Sequence, residues 1–348
     1  MIPLAGKLKE MNHNVFIGSG EKHLALFRNE LPGLSHIEFP GFKPGYSRFL
    51  PQFYFLLLQA PLLLYHIIRE HLRLKKIIRD YGIDIVISDN RFGLWNKKVK
   101  TVYVTHMPLI PVPKALRFLE FAGIIIHRAI IKKYSYCFIP DLPGEINVSG
   151  RLSHGLILPD NVRFTGILSR FILPVKEQPE GRVRFRHNTV ILSGPEPQRG
   201  LLKKKLTLLL KNQEPPTVIL EGKPGETKEI IRFENIFYYN HLPAWEMADM
   251  ITGSERVITR SGYTTIMELI SLNCSALLIP TPGQTEQEYL AEYLSEKGWF
   301  STIRQNNIEA GLALPEGMAF NASEIIGESN KLLKEALKEL LEDAHNQP

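Results

Sequence analysis

The chain of 348 residues is 44% hydrophobic and 22% charged, a length that suits two α/β domains and a balance that excludes both wholesale disorder and a polytopic membrane protein. Its two cysteines, Cys137 and Cys274, stand far apart, which excludes a disulfide or zinc framework and fits a reducing cytoplasm. A formal charge of +6 favours an anionic partner such as a nucleotide diphosphate or an acidic membrane surface; nucleic acid ranks last, because no recognition-helix, zinc or RNP-type motif is present.

The N-terminus has neither a basic n-region before an apolar core nor a small-residue cleavage site, so it does not read as a signal peptide. The opening residues Ile2 to Leu8 read as the end of a helix, followed by a turn and a strand at Val15 to Ile17. A doubly wound domain normally places a strand and a glycine-rich loop ahead of that helix, so the N-terminal domain is expected to lack its first strand. Further β-rich runs lie at Ile83 to Ser88, Thr101 to Thr105 and Tyr136 to Ile139. Between the first two strands, Leu62 to Asp80 carries apolar residues at helical spacing with Arg69, Arg73, Lys75, Lys76 and Arg79 among them. The apolar run Phe53 to Ile68 is shorter than the roughly 20 residues a bilayer span needs, so it is read either as a buried crossover or as a segment lying on an anionic membrane surface. Gly123 to Tyr134 carries the same two readings.

The pattern weakens into prolines, glycine and charges between Leu158 and His187, as a linker does. Strands resume at Thr189 to Leu192 and continue at Thr217 to Leu220, Ile236 to Tyr239, Arg256 to Thr259 and Ala276 to Ile279, with a terminal amphipathic helix over Glu328 to Asp343. The expected architecture is therefore α/β: an N-terminal Rossmann-like domain over 1–165, a linker over 166–188, a second such domain over 189–327 and a terminal helix over 328–348.

Chemistry concentrates in the second half. After the strand ending at Thr259, the turn Arg260-Ser261-Gly262 leads into a helix through Tyr263, Thr264 and Thr265, which points backbone N–H groups and the positive end of the helix dipole at an anion. Glu268, further along that helix, is placed to accept both hydroxyls of a ribose diol. The alternative is an ordinary strand-to-helix turn with a solvated glutamate. After the next strand, Pro280 to Tyr289 is dense in side chains that hydrogen-bond sugar hydroxyls, among them Gln284, Gln287 and Glu288. Ser193, Gly194 and Arg199 follow the second domain's first strand and are candidates for holding a pyrophosphate, although Pro195 and Pro197 remove donors from that loop. His241 completes the candidate donor-binding set. In the first half, His106 and Asp89 each follow a strand; His106 is the acid/base candidate and Asp89 its rival, while a structural histidine and a turn-capping aspartate are the plainer readings.

The block Arg260-Ser261-Gly262 with Glu268, then Pro280 and Gln287, resembles the C-terminal domain of glycosyltransferase family 28, the MurG-like GT-B glycosyltransferases. The resemblance implies two Rossmann-like domains facing each other across a cleft, a UDP-sugar donor and no separate cofactor or metal. It further implies transfer with inversion to an acceptor that can be lipid-linked, and a cytoplasmic protein in peripheral contact with the inner membrane face. By the same resemblance Glu268 binds the uridine ribose, Gln287 the donor sugar, and the Ser261-Gly262 turn lies near the diphosphate. The family's next position is a second glutamine and here is Glu288, which leaves the sugar open. Ser88 to Arg91, Thr105-His106, Leu152 to His154 and Ile167 to Phe171 are similar to a less characterised MurG-like group. The family's glycine-rich loop and its histidine are not in this sequence, so no catalytic residue is carried over from them. GT-B nucleotide-sugar epimerases or hydrolases, and a non-catalytic nucleotide-sugar-binding protein, are the alternatives to a transferase.

Overall fold

The computed structural model describes residues 1–42, 45, 52–172, 186–223, 229–310, 312 and 320–345. Residues 173–185, most of the expected linker, lie outside them. The chain groups into two compact units. One holds mainly Gln52–Leu168 with Ser323–Pro348, the other mainly Ser169–Ala322 with Met1–Pro40. This grouping differs from a single cut near residue 165, because the first forty residues pack with the C-terminal sheet's unit and the last helix with the N-terminal sheet's unit.

The first unit is built on four parallel strands, β3 (Ile85–Asp89), β4 (Lys100–Val104), β5 (Tyr136–Ile139) and β6 (Val162–Phe164), in the order β3-β4-β5-β6. β5 is buried along its whole length, as a parallel strand covered on both faces must be. Helices α3 (Gln52–Leu58), α4 (Ala60–Tyr81), α5 (Glu120–Ile131) and α10 (Ala322–His345) accompany it. α4 starts with Pro61 in its first turn and stops at Gly82, whose φ of +60° gives the left-handed cap that glycine adopts without a Cβ penalty. α10 is anchored by the Arg163–Glu339 ion pair at 2.6 Å and by the Tyr136 hydroxyl donating to Asp343 at 2.6 Å. Residues 166–171, expected as linker, include buried Ile167, Leu168 and Phe171, and Ser329 Oγ of α10 accepts from the Ile167 N–H at 3.0 Å.

In the second unit, α1 (Ile2–Glu10) and α2 (Glu21–Glu30) flank a parallel pair, β1 (Phe16–Ser19) and β2 (Ser35–Glu38), around Ala5, Ile17, Leu24 and Leu34. A seven-stranded sheet forms the rest. It comprises β7 (Asn188–Ile191), β8 (Thr217–Leu220), β9 (Ile230–Phe233), β10 (Ile236–Tyr239), β11 (Arg256–Thr259), β12 (Leu277–Leu278) and β13 (Ser301–Thr302). Their order is β13-β12-β11-β7-β8-β10-β9, with only β9 antiparallel. Helices α6 (Gln198–Leu210), α7 (Ala244–Thr252), α8 (Tyr263–Ser271) and α9 (Thr285–Glu296) connect the strands. α6 buries Leu202, Leu206 and Leu210 at i, i+4 spacing against Val190, Ile219 and Ile258, each leucine contributing roughly 2 kcal/mol. β7, the sheet's first strand, sits centrally: the chain leaves it for β8 on one side and returns to β11 on the other. That reversal is a topological switch point, where open α/β sheets bind ligands at the strands' carboxyl ends.

Candidate nucleotide-sugar site

The loops that leave β7 and β11 meet at this switch point. Gly194 turns the first loop with φ +90°, and the second runs Arg260-Ser261-Gly262 into α8. Gly262 is the N-cap of α8 in extended conformation and offers no side-chain acceptor, while the first-turn amides of a helix have no intrahelical partner. A Cβ at Gly262 would lie 4.0 Å from Ser193 Oγ, so the serine hydroxyl stands at the mouth of that helix. Gly222, after β8, packs against the strand-end of β7: a Cβ there would lie 2.8 Å from the Leu192 carbonyl, and its φ is +61°. The Ser193 hydroxyl thus lies beside Gly262, with Thr264 exposed and Thr265 buried in the first turn of α8.

The two arginines of the candidate set are committed elsewhere. Arg260 is 1% exposed; its guanidinium donates to the carbonyls of Ile279 (3.1 Å), Pro280 (3.2 Å) and Gln198 (3.0 Å) and to Gln305 Oε1 (2.7 Å). Burial lowers its pKa from 12.5 to about 10, and its work is to tie three loops together. Arg199 pairs with Glu196 at 3.0 Å and donates to the Gly222 carbonyl at 3.2 Å, so its fork holds the loop after β8. Beside it, buried Glu221 is bridged by Lys203 (2.7 Å) and Lys223 (3.1 Å).

The loop from Pro280 to Glu288 is braced from within. Gln287 Oε1 accepts from the Thr281 N–H at 2.9 Å, Glu288 Oε1 accepts from the Gly283 N–H at 2.9 Å, and Ser261 Oγ donates to the Gln287 carbonyl at 2.8 Å. Ser261 therefore fastens the turn before α8 to the first turn of α9, and Gln284 caps α9 in extended conformation. Among the described residues the Gln287 amide nitrogen has no partner, which leaves its two donors for a ligand.

Glu268 is buried and forms an ion pair with Arg170 Nε at 2.8 Å. The same guanidinium reaches Glu30 of α2 at 3.5 Å and Met247 Sδ of α7 at 2.9 Å. Desolvation raises the pKa of both Glu268 and Glu30, with Arg170 opposing it. His241, after β10, has its Nε2 buried without a partner among the described residues, and burial followed by the Arg170 charge lowers its pKa. Arg170 lies in the Ile167 to Phe171 segment that carries the resemblance, but with no role given to it, and Glu30 meets it only through tertiary folding.

The other unit holds His106 and Asp89 at the carboxyl ends of adjacent strands: Asp89 ends β3 opposite Val104 of β4, and His106 follows β4 by two residues. Asp89 is exposed and His106 half-buried. Next to them Asn90, at φ +51°, accepts from the Tyr103 hydroxyl at 2.7 Å, and Tyr103 meets buried His127 Nε2 at 3.0 Å. Among the described residues no group of three or more His, Cys, Asp or Glu has a metal-holding arrangement, and no helix is long and apolar enough to cross a membrane.

Comparison with known proteins agrees with this architecture. Residues 223–345 match the glycosyltransferase family 28 C-terminal domain. An uncharacterized glycosyltransferase of Methanosarcina mazei is 23% identical over 238 residues, covering 64% of this chain and 61% of that protein's length. Among solved structures, the glycosyltransferase SnogD from Streptomyces nogalater superposes with a TM-score of 0.60 at 15% identity, covering 98% of this chain and 94% of that one. The spinosyn rhamnosyltransferase SpnG complexed with thymidine diphosphate gives a TM-score of 0.56 at 12% identity, covering 100% and 93%. The chain thus has the fold of the GT-B glycosyltransferases, and its residues 223–345 match the glycosyltransferase family 28 C-terminal domain.

Proposed function

We propose that this protein transfers a sugar from a UDP-sugar donor to an acceptor hydroxyl with inversion, the donor bound at the switch point of the seven-stranded sheet. The observation that carries this reading is the approach of Ser193 to the uncapped N-terminus of α8, with Glu268 further along the same helix. Hydroxyls and helix amides suit the diphosphate and stabilise the negative charge that develops as it leaves. The thymidine diphosphate held by one relative of this fold supports a nucleoside diphosphate as the ligand. Glu268 would take the ribose hydroxyls, and Gln284, Gln287 and Glu288 those of the sugar. Inversion requires one base to remove the acceptor proton as the acceptor oxygen attacks the anomeric carbon and UDP departs. His106 is the chain's candidate for that base and Asp89 the second.

The acceptor side of the proposal is a lipid-linked alcohol at an anionic membrane surface. Leu57, Leu58, Leu64, Ile68 and Leu72 of α3 and α4 are all more than half exposed, and Phe118, just before α5, and Phe121, within it, are 73% and 71% exposed. Exposed Arg69, Lys75, Lys76 and Lys132 flank them, the pairing of apolar and cationic groups that interfacial helices use. The test is UDP release from a panel of UDP-sugars, with and without a membrane-lipid extract, followed by mass analysis of the lipids. Acceptor-dependent UDP release with a glycosylated product supports the transferase; release of free sugar or an epimer without acceptor overturns it. Co-sedimentation with anionic vesicles at low salt, lost when Arg69, Lys75 and Lys76 are replaced by glutamine, tests the membrane contact separately.

A further inference from the structure

We infer that Arg170 is a positioning residue that makes the site select ribonucleotide over deoxyribonucleotide donors, by holding Glu268 through one carboxylate oxygen and leaving the other for the sugar diol. The inference rests on the proposed placement of the nucleotide's ribose at Glu268. A glutamate with two rotatable bonds beyond Cβ, buried against α8's own core, has no intrinsic reason to keep one orientation. Here Oε1 lies 2.8 Å from Arg170 Nε in an ion pair whose N–H is not aligned as a hydrogen bond, so charge rather than a directed bond holds it.

The guanidinium is itself immobilised from other directions. Nη1 faces Glu30 of α2 at 3.5 Å, Nη2 meets Met247 Sδ of α7 at 2.9 Å, and the group lies 5.1 Å from the centroid of the Phe171 ring. A planar fork fixed on three edges presents Nε in one place, which a lysine ammonium on a flexible stem cannot reproduce. Arg170 and Glu30 are 13% and 8% exposed, so water does not compete strongly for these groups. Burial raises the pKa of Glu268 and the Arg170 charge opposes that rise, favouring the ionised form, which offers all its lone pairs to two hydroxyls. A nucleotide without a 2′-hydroxyl leaves part of that acceptor capacity unmet in a buried place, which is how sites discriminate strongly against a missing hydroxyl.

The test is calorimetric titration of the full chain with UDP and with 2′-deoxy-UDP. The wild type is expected to prefer UDP by about tenfold or more, the worth of one hydrogen bond to a charged group. Arg170→Lys is expected to cut the preference below about threefold while the affinity for 2′-deoxy-UDP changes less than about twofold. A purely structural arginine would weaken both nucleotides equally or neither, and either result overturns the inference while leaving the ribose placement standing. A wild type that binds UDP without preferring it overturns the ribose placement and this inference with it. Should Arg170→Lys not fold by circular dichroism, Glu30→Gln serves in its place: a reduced UDP preference supports the inference and an unchanged one overturns it.

Discussion

Two buried carboxylates, Asp141 and Glu268, have opposite hydrogen-bonding fates. Asp141 follows β5 and is fully buried. Its Oδ1 accepts from the N–H groups of Leu142 (2.8 Å) and Val148 (2.9 Å), and its Oδ2 from the N–H of Ser149 (2.8 Å) and the Ser149 hydroxyl. Ser149 continues to Ser153, Ser153 to His154 Nδ1 at 3.0 Å, and His154 Nε2 donates to the Leu142 carbonyl at 2.8 Å, which closes the ring of bonds. Glu268 has one guanidinium, shared with a second carboxylate. Burial and charge alone would make both look like sites. Unmet acceptor capacity separates them: the first carboxylate is spent on shaping its own loop, and the second has an oxygen left to offer.

The largest effect expected from this contrast is on stability. Asp141→Ala strands three main-chain N–H groups and a hydroxyl in a dry interior at roughly 1–3 kcal/mol each, so a loss of about 4 kcal/mol or more is expected in urea unfolding. Glu268→Gln should cost only about 1 kcal/mol, since the amide oxygen still faces Arg170 and Glu30 still balances the guanidinium. Equal losses in the two variants would erase the distinction drawn between them.

A smaller effect separates the groups by pH. His127 and His241 have pKa values lowered from 6.5, chiefly by burial, so the folded state binds fewer protons than the unfolded one and stability falls as pH drops below 6.5. Glu30 and Glu268 are raised from 4.5, so the folded state holds protons that the unfolded one has released, and their cost grows as pH rises above 4.5. Urea midpoints at about pH 7 and about pH 5.5 should differ less in His127→Gln than in the wild type, and an unchanged difference would remove His127 from the account.

The parallel alternation was legible in the sequence because buried strands such as Tyr136–Ile139 and Thr217–Leu220 are short runs rich in β-branched or aromatic residues, and their bounds agree with the structure. Four strands were not. β9 is exposed on both faces and carries no alternation, while β2, β6 and β13 are short segments defined by their neighbours' hydrogen bonds. The strand–turn–helix around Gly262 was readable from local chemistry alone. That Arg260 turns inward and that Arg170 meets Glu268 depends on segments remote in sequence, which periodicity does not report. The same holds for the packing of Met1–Pro40 with Ser169–Ala322.

The donor-site claim stands or falls most directly on a calorimetric titration of UDP into the full chain and into Glu268→Gln. The wild type is expected to bind UDP, with a loss of about tenfold or more in a variant that still unfolds cooperatively. No UDP binding by the wild type, or the same affinity in both proteins, would contradict it.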